Sequence, residues 1–335
     1  MATNTLKAAL AALNTKETLD SFSSDHHIAV LNSSGEVVGM ASVDALINAT
    51  SGYIDFADAA VEEICIANFS SDGVGVTYAD AKNVTSIGTL FKGNTEITSF
   101  DELKYFTGVT SLSGGAFSGC TGLMSIDLRN IKDCSSGNQF QGCTSLTTAR
   151  NMKNMGSGSG KKNGGYVFAY CSKLTSVNFS GWTGNASSFN STGMIRGCTS
   201  LTEVDMSGTI LMSGSSWNNA FNGCTGLVTL NLGEVDTSNV SSLSGTWYKC
   251  TALENLAFIG LGGNKTKALT WDFSACPLTA ESAQALIEGA VDRSDTATYT
   301  ATHTIKISST TVSNLGDDFD TFKSACTAKG YTLTY

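Results

Sequence analysis

Ten cysteines in 335 residues are the most chemically capable feature of this chain, because thiols bind metal ions and form disulfides. Zinc sites usually draw on C-x-x-C pairs, and no such pair occurs. Seven cysteines instead recur at intervals of 23, 28, 27, 26, 26 and 26 residues, at positions 120, 143, 171, 198, 224, 250 and 276. This spacing predicts a structural repeat with reduced thiols in a buried column.

Other residue types with catalytic or ligand chemistry lack partners at useful spacing. The three histidines, His26, His27 and His303, have no ligands placed to meet them, which predicts positions on a turn or strand surface. No G-x-S-x-G motif exposes a serine nucleophile. The glycine-rich stretch 156–165 departs from a phosphate loop because Lys162 stands where a hydroxyl is required. The sequence therefore predicts no cofactor, no metal and no enzymatic activity.

The residues around each cysteine repeat as well. A large apolar residue precedes the cysteine by three positions, leucine follows it by three, and further apolar residues follow at six and eight. An earlier copy carries Asn94 in the cysteine position, which makes eight coils, numbered from the first at Asn94 to the eighth at Cys276. The predicted structural ladder consists of Phe117, Cys120, Leu123, Phe140, Cys143, Leu146, Phe168, Cys171, Leu174, Cys198, Leu201, Phe221, Cys224, Leu227, Trp247, Cys250, Leu253, Phe273 and Cys276.

A period of this length with L-x-x-(I/V/L)-x-(L/F/M) is a leucine-rich-repeat pattern. It predicts an α/β repeat solenoid over residues 87–278, with about eight coils that each contribute one short parallel strand. Neighbouring strands stand about 4.8 Å apart, whereas a disulfide needs a Cβ separation of about 3.8 Å. The thiol column is therefore expected to stay unbridged.

Strand positions that alternate with the apolar ones face away from the core. The candidate binding surface built from them comprises Asp127, Arg150, Asn178, Glu203, Asp205 and Asn231. Three aromatic residues in the connections, Tyr166, Trp182 and Trp217, are added because exposed rings carry much of the energy of recognition sites. Two alternatives stay open: the polar face only keeps the sheet hydrated, and the three rings fill the core.

The segments on either side of the repeats predict separate units. Residues 1–55 read as a head, in which two short helices flank a hairpin with an Asn-Ser-Ser-Gly turn. Residues 56–86 resemble a helix-loop-helix calcium hand, but Ser70, Val74 and Ala81 occupy ligand positions and only Asp72 supplies a side-chain carboxylate. They predict a degenerate helical cap without calcium. Residues 279–335 are expected to cap the other end of the array.

Charge and hydropathy restrict the partners. The formal net charge of −9 and the absence of a long basic run argue against nucleic acid. No apolar segment is long enough to enter a membrane, and the first 20 residues do not read as a signal peptide. The sequence thus favours a protein made in the cytoplasm and not exported by an N-terminal signal.

The coil F-x-G-C-T-x-L-x-x-(I/V/L)-x-L over residues 91–276 resembles the BspA-like, Treponema-type leucine-rich repeats. These occur in surface proteins of gut and oral anaerobes and in virion proteins of their phages. Residues 27–48 look like the head segment of such phage structural proteins, and the C-terminal segment is similar to the module that closes such arrays.

This resemblance implies a virion protein, tail- or head-associated, that attaches to other virion proteins through its head segment and binds a host-surface glycan or protein through the solenoid. A homo-oligomer is a further possibility. The alternatives are a purely structural decoration or fibre-joining protein and a bacterial cell-surface adhesin. An enzyme acting on glycans would need paired carboxylates, for which Glu203 and Asp205 are the nearest candidates.

Overall fold

The computed structural model describes the backbone of residues 27–31 and 37–42, and residues 52–133, 136–152, 155, 163–179, 182, 190–209 and 216–335 in full. The two predicted helices of the head, at 6–13 and 43–49, and most of the glycine-rich stretch lie outside these residues. Strands β1 (His27–Leu31) and β2 (Val37–Ser42) pair antiparallel, which confirms the predicted hairpin.

Two short helices precede the repeats: α1 (Ala59–Phe69) and α2 (Tyr78–Asn83). Asp58 caps α1 by accepting hydrogen bonds from the backbone N–H groups of Ala60 and Val61. Thr77 and Asp80 form a capping box at the start of α2. These caps explain why such short segments hold a helical conformation.

The repeats form short parallel strands in two three-stranded sheets. The first sheet contains β3 (Ser99–Phe100), β4 (Ser125–Asp127) and β5 (Thr148–Arg150). The second contains β6 (Glu203–Asp205), β7 (Thr229–Glu234) and β8 (Asn255–Ile259). Equivalent positions pair across coils, as Ile126 does with Ala149 and Leu230 with Leu256. The chain therefore has a repeat-type fold.

One strand expected from the repeat pattern is absent. The coil that contains Cys171 has no strand at residues 176–178, although Asn178 was predicted to lie on one. This coil follows the longest interval between ladder cysteines, 28 residues. The hydrogen bond from Thr175 N to Thr147 O is stretched to 3.5 Å, the limit for such a bond, and strand pairing lapses there.

The C-terminal segment extends the last coil into a third three-stranded sheet. Strand β9 (Thr270–Phe273) belongs to the last coil, and β10 (His303–Ile307) and β11 (Tyr331–Thr334) continue the sheet in parallel, with β10 in the centre. Three helices accompany them: α3 (Ala280–Glu288), α4 (Ser309–Leu315) and α5 (Phe319–Ala328). The predicted alternation of helix and strand is thus confirmed, with two helices between the last two strands.

Single polar side chains terminate the strand pairing at both ends. At the first coil, the N–H groups of Thr98 and Ser99 donate to Asp58 Oδ2 at 2.5 and 3.2 Å. At the seventh coil, the N–H of Leu256 in β8 donates to Ser282 Oγ of α3 at 3.0 Å. These bonds satisfy backbone donors that would otherwise be left at an open sheet edge.

No helix within the described residues is long and apolar enough to cross a membrane.

Candidate binding surfaces

The predicted ladder residues lie in the interior. Phe117, Phe140 and Phe168 stack with ring centroids 5.4 and 5.3 Å apart and planes within 8° of parallel. Every ladder residue is at most 1% exposed. Close packing of this kind leaves no room for a ligand between the described ladder residues.

The cysteine column has a hydrogen-bonding role that the sequence pattern did not reveal. Each thiol from Cys120 to Cys250 donates a hydrogen bond to a backbone carbonyl of the preceding coil. The acceptor is the large apolar residue three positions before the cysteine position of that coil. Cys143 Sγ donates to Phe117 O at 3.0 Å, and Cys171 Sγ donates to Phe140 O at 3.1 Å. The six bonds measure 2.9 to 3.1 Å. The first coil has no preceding coil to supply a carbonyl, which explains Asn94: its Oδ1 accepts from the N–H groups of Glu96 and Ile97 instead.

The ladder thiols from Cys171 to Cys276 have low reactivity, because burial raises the pKa of each of them. The nine described cysteines are free, and burial raises the pKa of Cys171 and Cys224 to about 12. Thiolate is the reactive form, so a buried thiol with so high a pKa is a poor nucleophile and a poor metal ligand. The column is structural.

On the strand side, the structure brings some predicted binding residues together and neutralises their charges. Asp127 and Arg150 pair across β4 and β5. The Asp127 carboxylate is almost fully buried, 4% exposed, and accepts from Arg129 at 2.7 Å and from Asn151 at 3.0 Å. Arg150 forms an ion pair with Asp101. Asp127 is therefore not an exposed contact residue, because its carboxylate ties two neighbouring connections together.

The second sheet carries the remaining polar residues of the predicted surface. Glu203 and Asp205 are exposed on β6, and Asp205 is in register with the half-buried Asn231 of β7. Asp205 Oδ1 accepts from the N–H of Ser207 at 2.9 Å. Asn178 is exposed between the two sheets.

Two of the three aromatic residues that were predicted to contact a partner are buried. Trp182 and Trp217 are fully buried, and Trp182 Nε1 donates to Met152 O at 3.2 Å. Their indole rings fill space between coils, so the alternative that these rings belong to the core is correct. Tyr166 is half-buried, and its ring lies over Gly193, where an added Cβ would clash with Cε1 of the ring.

His303 also lies in the interior, contrary to the surface position expected for it. Its Nδ1 accepts from Trp271 Nε1 at 3.2 Å, so the proton on Nε2 is directed to Lys267 O at 2.9 Å. Burial, reinforced by nearby Arg293, lowers the pKa of His303 to about 4. The imidazole is neutral at pH 7 and joins the last coil to the C-terminal sheet.

The loop that resembles a calcium hand is closed by its own hydrogen bonds. Asp72 accepts from Tyr53 Oη at 2.6 Å, from Ser70 Oγ at 3.0 Å and from the N–H of Val74 at 2.8 Å. The Tyr53 hydroxyl, more than any other donor, holds the pKa of Asp72 well below its ordinary value. Among the described residues, no group of three or more His, Cys, Asp or Glu side chains is arranged to hold a metal ion.

A second surface lies at the turns around the ladder cysteines, and sequence reasoning missed it. We call it the turn edge: the five residues centred on the cysteine in the fourth to seventh coils, 169–173, 196–200, 222–226 and 248–252. Backbone hydrogen bonds of 2.6 to 2.8 Å link these coils in sequence, from Tyr170 N to Arg196 O, Gly197 N to Asn222 O and Gly223 N to Tyr248 O.

Two exposed tyrosines mark the turn edge. Tyr170 is 41% exposed and Tyr248 is 57% exposed. The guanidinium of Arg196 lies 5.5 Å from the Tyr170 ring centroid, and the ammonium of Lys249 lies 5.5 Å from that of Tyr248. The available sequence signal was a break in the repeat: Tyr170 and Lys249 stand where the first, second, third, fifth and sixth coils have glycine.

Comparison with known proteins agrees with the repeat pattern. Residues 85–211 match the model of the BspA type leucine-rich repeat region, in six copies. No curated protein and no solved structure matches the chain. Repeats of this family are typically non-enzymatic and suggest interaction with proteins or surfaces. The stacked coils of residues 85–211 are accordingly leucine-rich repeats of the BspA type.

Proposed function

We propose that this protein is a non-enzymatic binding protein, and specifically a virion surface protein that recognises the surface of a host cell through its repeats. The observation that carries the proposal is the division of labour within each coil. The ladder side chains are buried in the packing between coils, while Arg150, Glu203 and Asp205 on the strand side and Tyr170 and Tyr248 on the turn edge are exposed. A regular row of this kind is suited to equilibrium binding of an extended partner.

The same proposal includes the finer architecture. The hydrogen bonds of the turn edge cross the fourth coil, where strand pairing lapses, and this supports one continuous solenoid over residues 87–278. The hairpin of β1 and β2 would belong to a head that attaches to other virion proteins. The C-terminal sheet would close the solenoid.

The site chemistry favours binding over catalysis. Glu203 and Asp205 lie two residues apart on one exposed strand, so both project to the same side. Glycosidases instead place two carboxylates on either side of a bond to be cleaved, with one of them in an environment that raises its pKa. Glu203 and Asp205 do not have that arrangement, because both are exposed on one face of the same strand.

Two measurements test the proposal. Mass spectrometry of purified virus particles from the source should detect the protein, and the fluorescently labelled full chain should bind intact host cells at saturating occupancy. Recovery in a bacterial envelope fraction without any particle would instead identify a cell-surface adhesin. Presence in particles without cell binding would identify a purely structural virion component, and either result would refute the proposal.

A further inference from the structure

Positive charge is concentrated on the turn edge of an otherwise acidic protein. The four segments of the turn edge contain Lys173, Arg196 and Lys249 and no Asp or Glu, a net charge of +3 by count, while the chain carries −9. In the equivalent segment of the first coil Lys92 and Glu96 cancel, and those of the second, third and eighth coils carry no charge. The basic character is therefore confined to the fourth to seventh coils.

The cations of the turn edge are not used for internal ion pairs. Arg196 and Lys249 rest against tyrosine rings, and neither forms a salt bridge with a carboxylate within the described part of the chain. On the strand side, by contrast, Arg150 is paired with Asp101. The turn edge thus presents cations that remain able to bind an external anion.

Backbone strain occurs at two residues of the turn edge. Tyr170 and Lys249 have φ values of 64° and 63°, in the left-handed region, where glycine is found in five other coils. A non-glycine residue in that region costs on the order of 1 kcal/mol, and such residues concentrate at functional sites. Here the strained positions carry an exposed ring and a cation.

The spacing of the groups suits an extended chain. Successive coils on the turn edge are joined by backbone hydrogen bonds, so they stand about 4.8 Å apart, and the two tyrosines are separated by three such steps. The hydroxyl groups of Thr199, Thr225 and Thr251 form an exposed row beside them. Rings, cations and hydroxyls in one row could contact the sugar faces, carboxylates and hydroxyls of a saccharide chain.

We propose that the turn edge of the fourth to seventh coils binds an anionic polysaccharide. This inference rests on the proposed host-surface function and names the class of ligand. An acidic protein segment is the weaker candidate, because tight protein contacts bury their anchor residues in desolvated pockets, whereas Tyr170 and Tyr248 are exposed on a ridge. Tyr170 and Tyr248 stack on sugar rings, and Lys173, Arg196 and Lys249 pair with uronate carboxylates.

The experiment measures binding of polygalacturonate, a carboxylated polysaccharide, to the full-length protein by isothermal titration calorimetry. Neutral dextran and poly-glutamate peptide serve as comparison ligands. The test variant is Tyr170→Gly/Lys249→Gly, which removes one ring and one cation and restores the glycine that other coils carry in the same conformation. The matched control is Lys323→Gln, which removes a cation that lies 5.9 Å from the ring of Tyr335 in the C-terminal segment.

Polygalacturonate should bind the wild-type protein more tightly than dextran does, with an affinity that falls as salt is raised. The test variant should bind about tenfold more weakly or worse, with an unchanged or higher melting temperature, and Lys323→Gln should match the wild type. Equal binding by the test variant, or no preference over dextran, overturns the proposal. Tighter binding of poly-glutamate overturns the saccharide assignment.

Host-cell binding separates this inference from the proposed function. If the wild type binds cells but not polygalacturonate, only the ligand assignment fails. If it binds polygalacturonate but no host cell, the turn-edge site stands and the proposed function fails.

Discussion

The turn edge and the strand side are built from the same coils, yet they differ in continuity and in charge. Hydrogen bonds on the turn side link every coil from Gly93 N–Ser118 O to Gly223 N–Tyr248 O. Strand pairing on the other side stops after β5 and resumes at β6. The charges of Asp127 and Arg150 in the first sheet of the strand side are paired internally, whereas those of the turn edge face solvent or rest on rings.

This difference indicates which side maintains the repeat. The geometry that recurs from coil to coil lies in the turn that precedes the cysteine. There, one residue stacks its ring on those of the neighbouring coils, and its carbonyl accepts a hydrogen bond from the thiol of the next coil. The strand is short, three residues in β4, β5 and β6, and can be lost in one coil without interrupting the ladder. We therefore expect the largest losses of stability from changes on the turn side.

Phe140→Ala should have the largest effect. The ring is fully buried and stacks on both Phe117 and Phe168, so its removal leaves a cavity between coils. The free energy of unfolding, measured by urea denaturation, should fall by about 3 to 5 kcal/mol. Met124→Ala is the control, because Met124 is half exposed on the strand side and should cost less than about 0.5 kcal/mol. Equal losses from the two variants would contradict the difference between the sides.

Asp58→Asn should disrupt the hydrogen bonds that end the strand pairing at the first coil. One carboxylate oxygen caps α1 and the other accepts from Thr98 and Ser99, and the amide cannot accept from both sets of donors. We expect a loss of about 2 to 3 kcal/mol in the free energy of unfolding. Asp55→Asn, an exposed neighbour, is the matched control.

The Asp58 effect should depend on pH. Burial would raise the pKa of Asp58, but hydrogen bonds from Thr98, Val61 and Ser99 outweigh it and leave the pKa below its ordinary value of 3.8. Because the folded state holds the carboxylate ionised, the stabilisation is complete above pH 4 and is lost as pH falls through the folded pKa. The difference between wild type and Asp58→Asn should therefore shrink in acid, and a difference that grows in acid would contradict this assignment.

Cys171→Ala should have an intermediate effect of about 1 to 2 kcal/mol, because it removes both a buried sulfur and the bond to Phe140 O. Cys65→Ala isolates the bond, since the Cys65 thiol is equally buried in α1 but donates no hydrogen bond to another described residue. Cys171→Ala should lower the free energy of unfolding by about 0.5 to 1 kcal/mol more than Cys65→Ala does, measured by urea denaturation. If the free energy of unfolding falls equally in the two variants, the thiol column stabilises the protein by packing alone.

Position 170 should show the smallest effect and the one that is most specific to the turn edge. Tyr170→Gly relieves the left-handed strain, whereas Tyr170→Ala retains it, so glycine should be more stable than alanine by about 1 kcal/mol. At Asn222, where φ is not positive, alanine should be the more stable residue. Thermal denaturation of the four variants tests this reversal, and the same preference at both positions would show that strain at Tyr170 is absent.

The repeat, the ladder and the hairpin of the head could be predicted from the sequence, because each rests on local periodicity. The positions of individual polar residues could not. Asp127 follows the pattern of an outward-facing residue, but Arg129 and Asn151 cover it. Trp182, Trp217 and His303 are buried by contacts with residues about 30 or more positions away, which no local pattern contains.

The sequence alone determined the period, the identity of the stacked residues and the assignment to leucine-rich repeats, since a side chain that recurs every 26 residues must meet its equivalents when coils stack. Only the tertiary structure decided which surface remains available. Exposure depends on what the neighbouring coils place beside a residue, so Asp127 and Arg150 are paired in the first sheet while two tyrosines and their cations remain available on the turn edge.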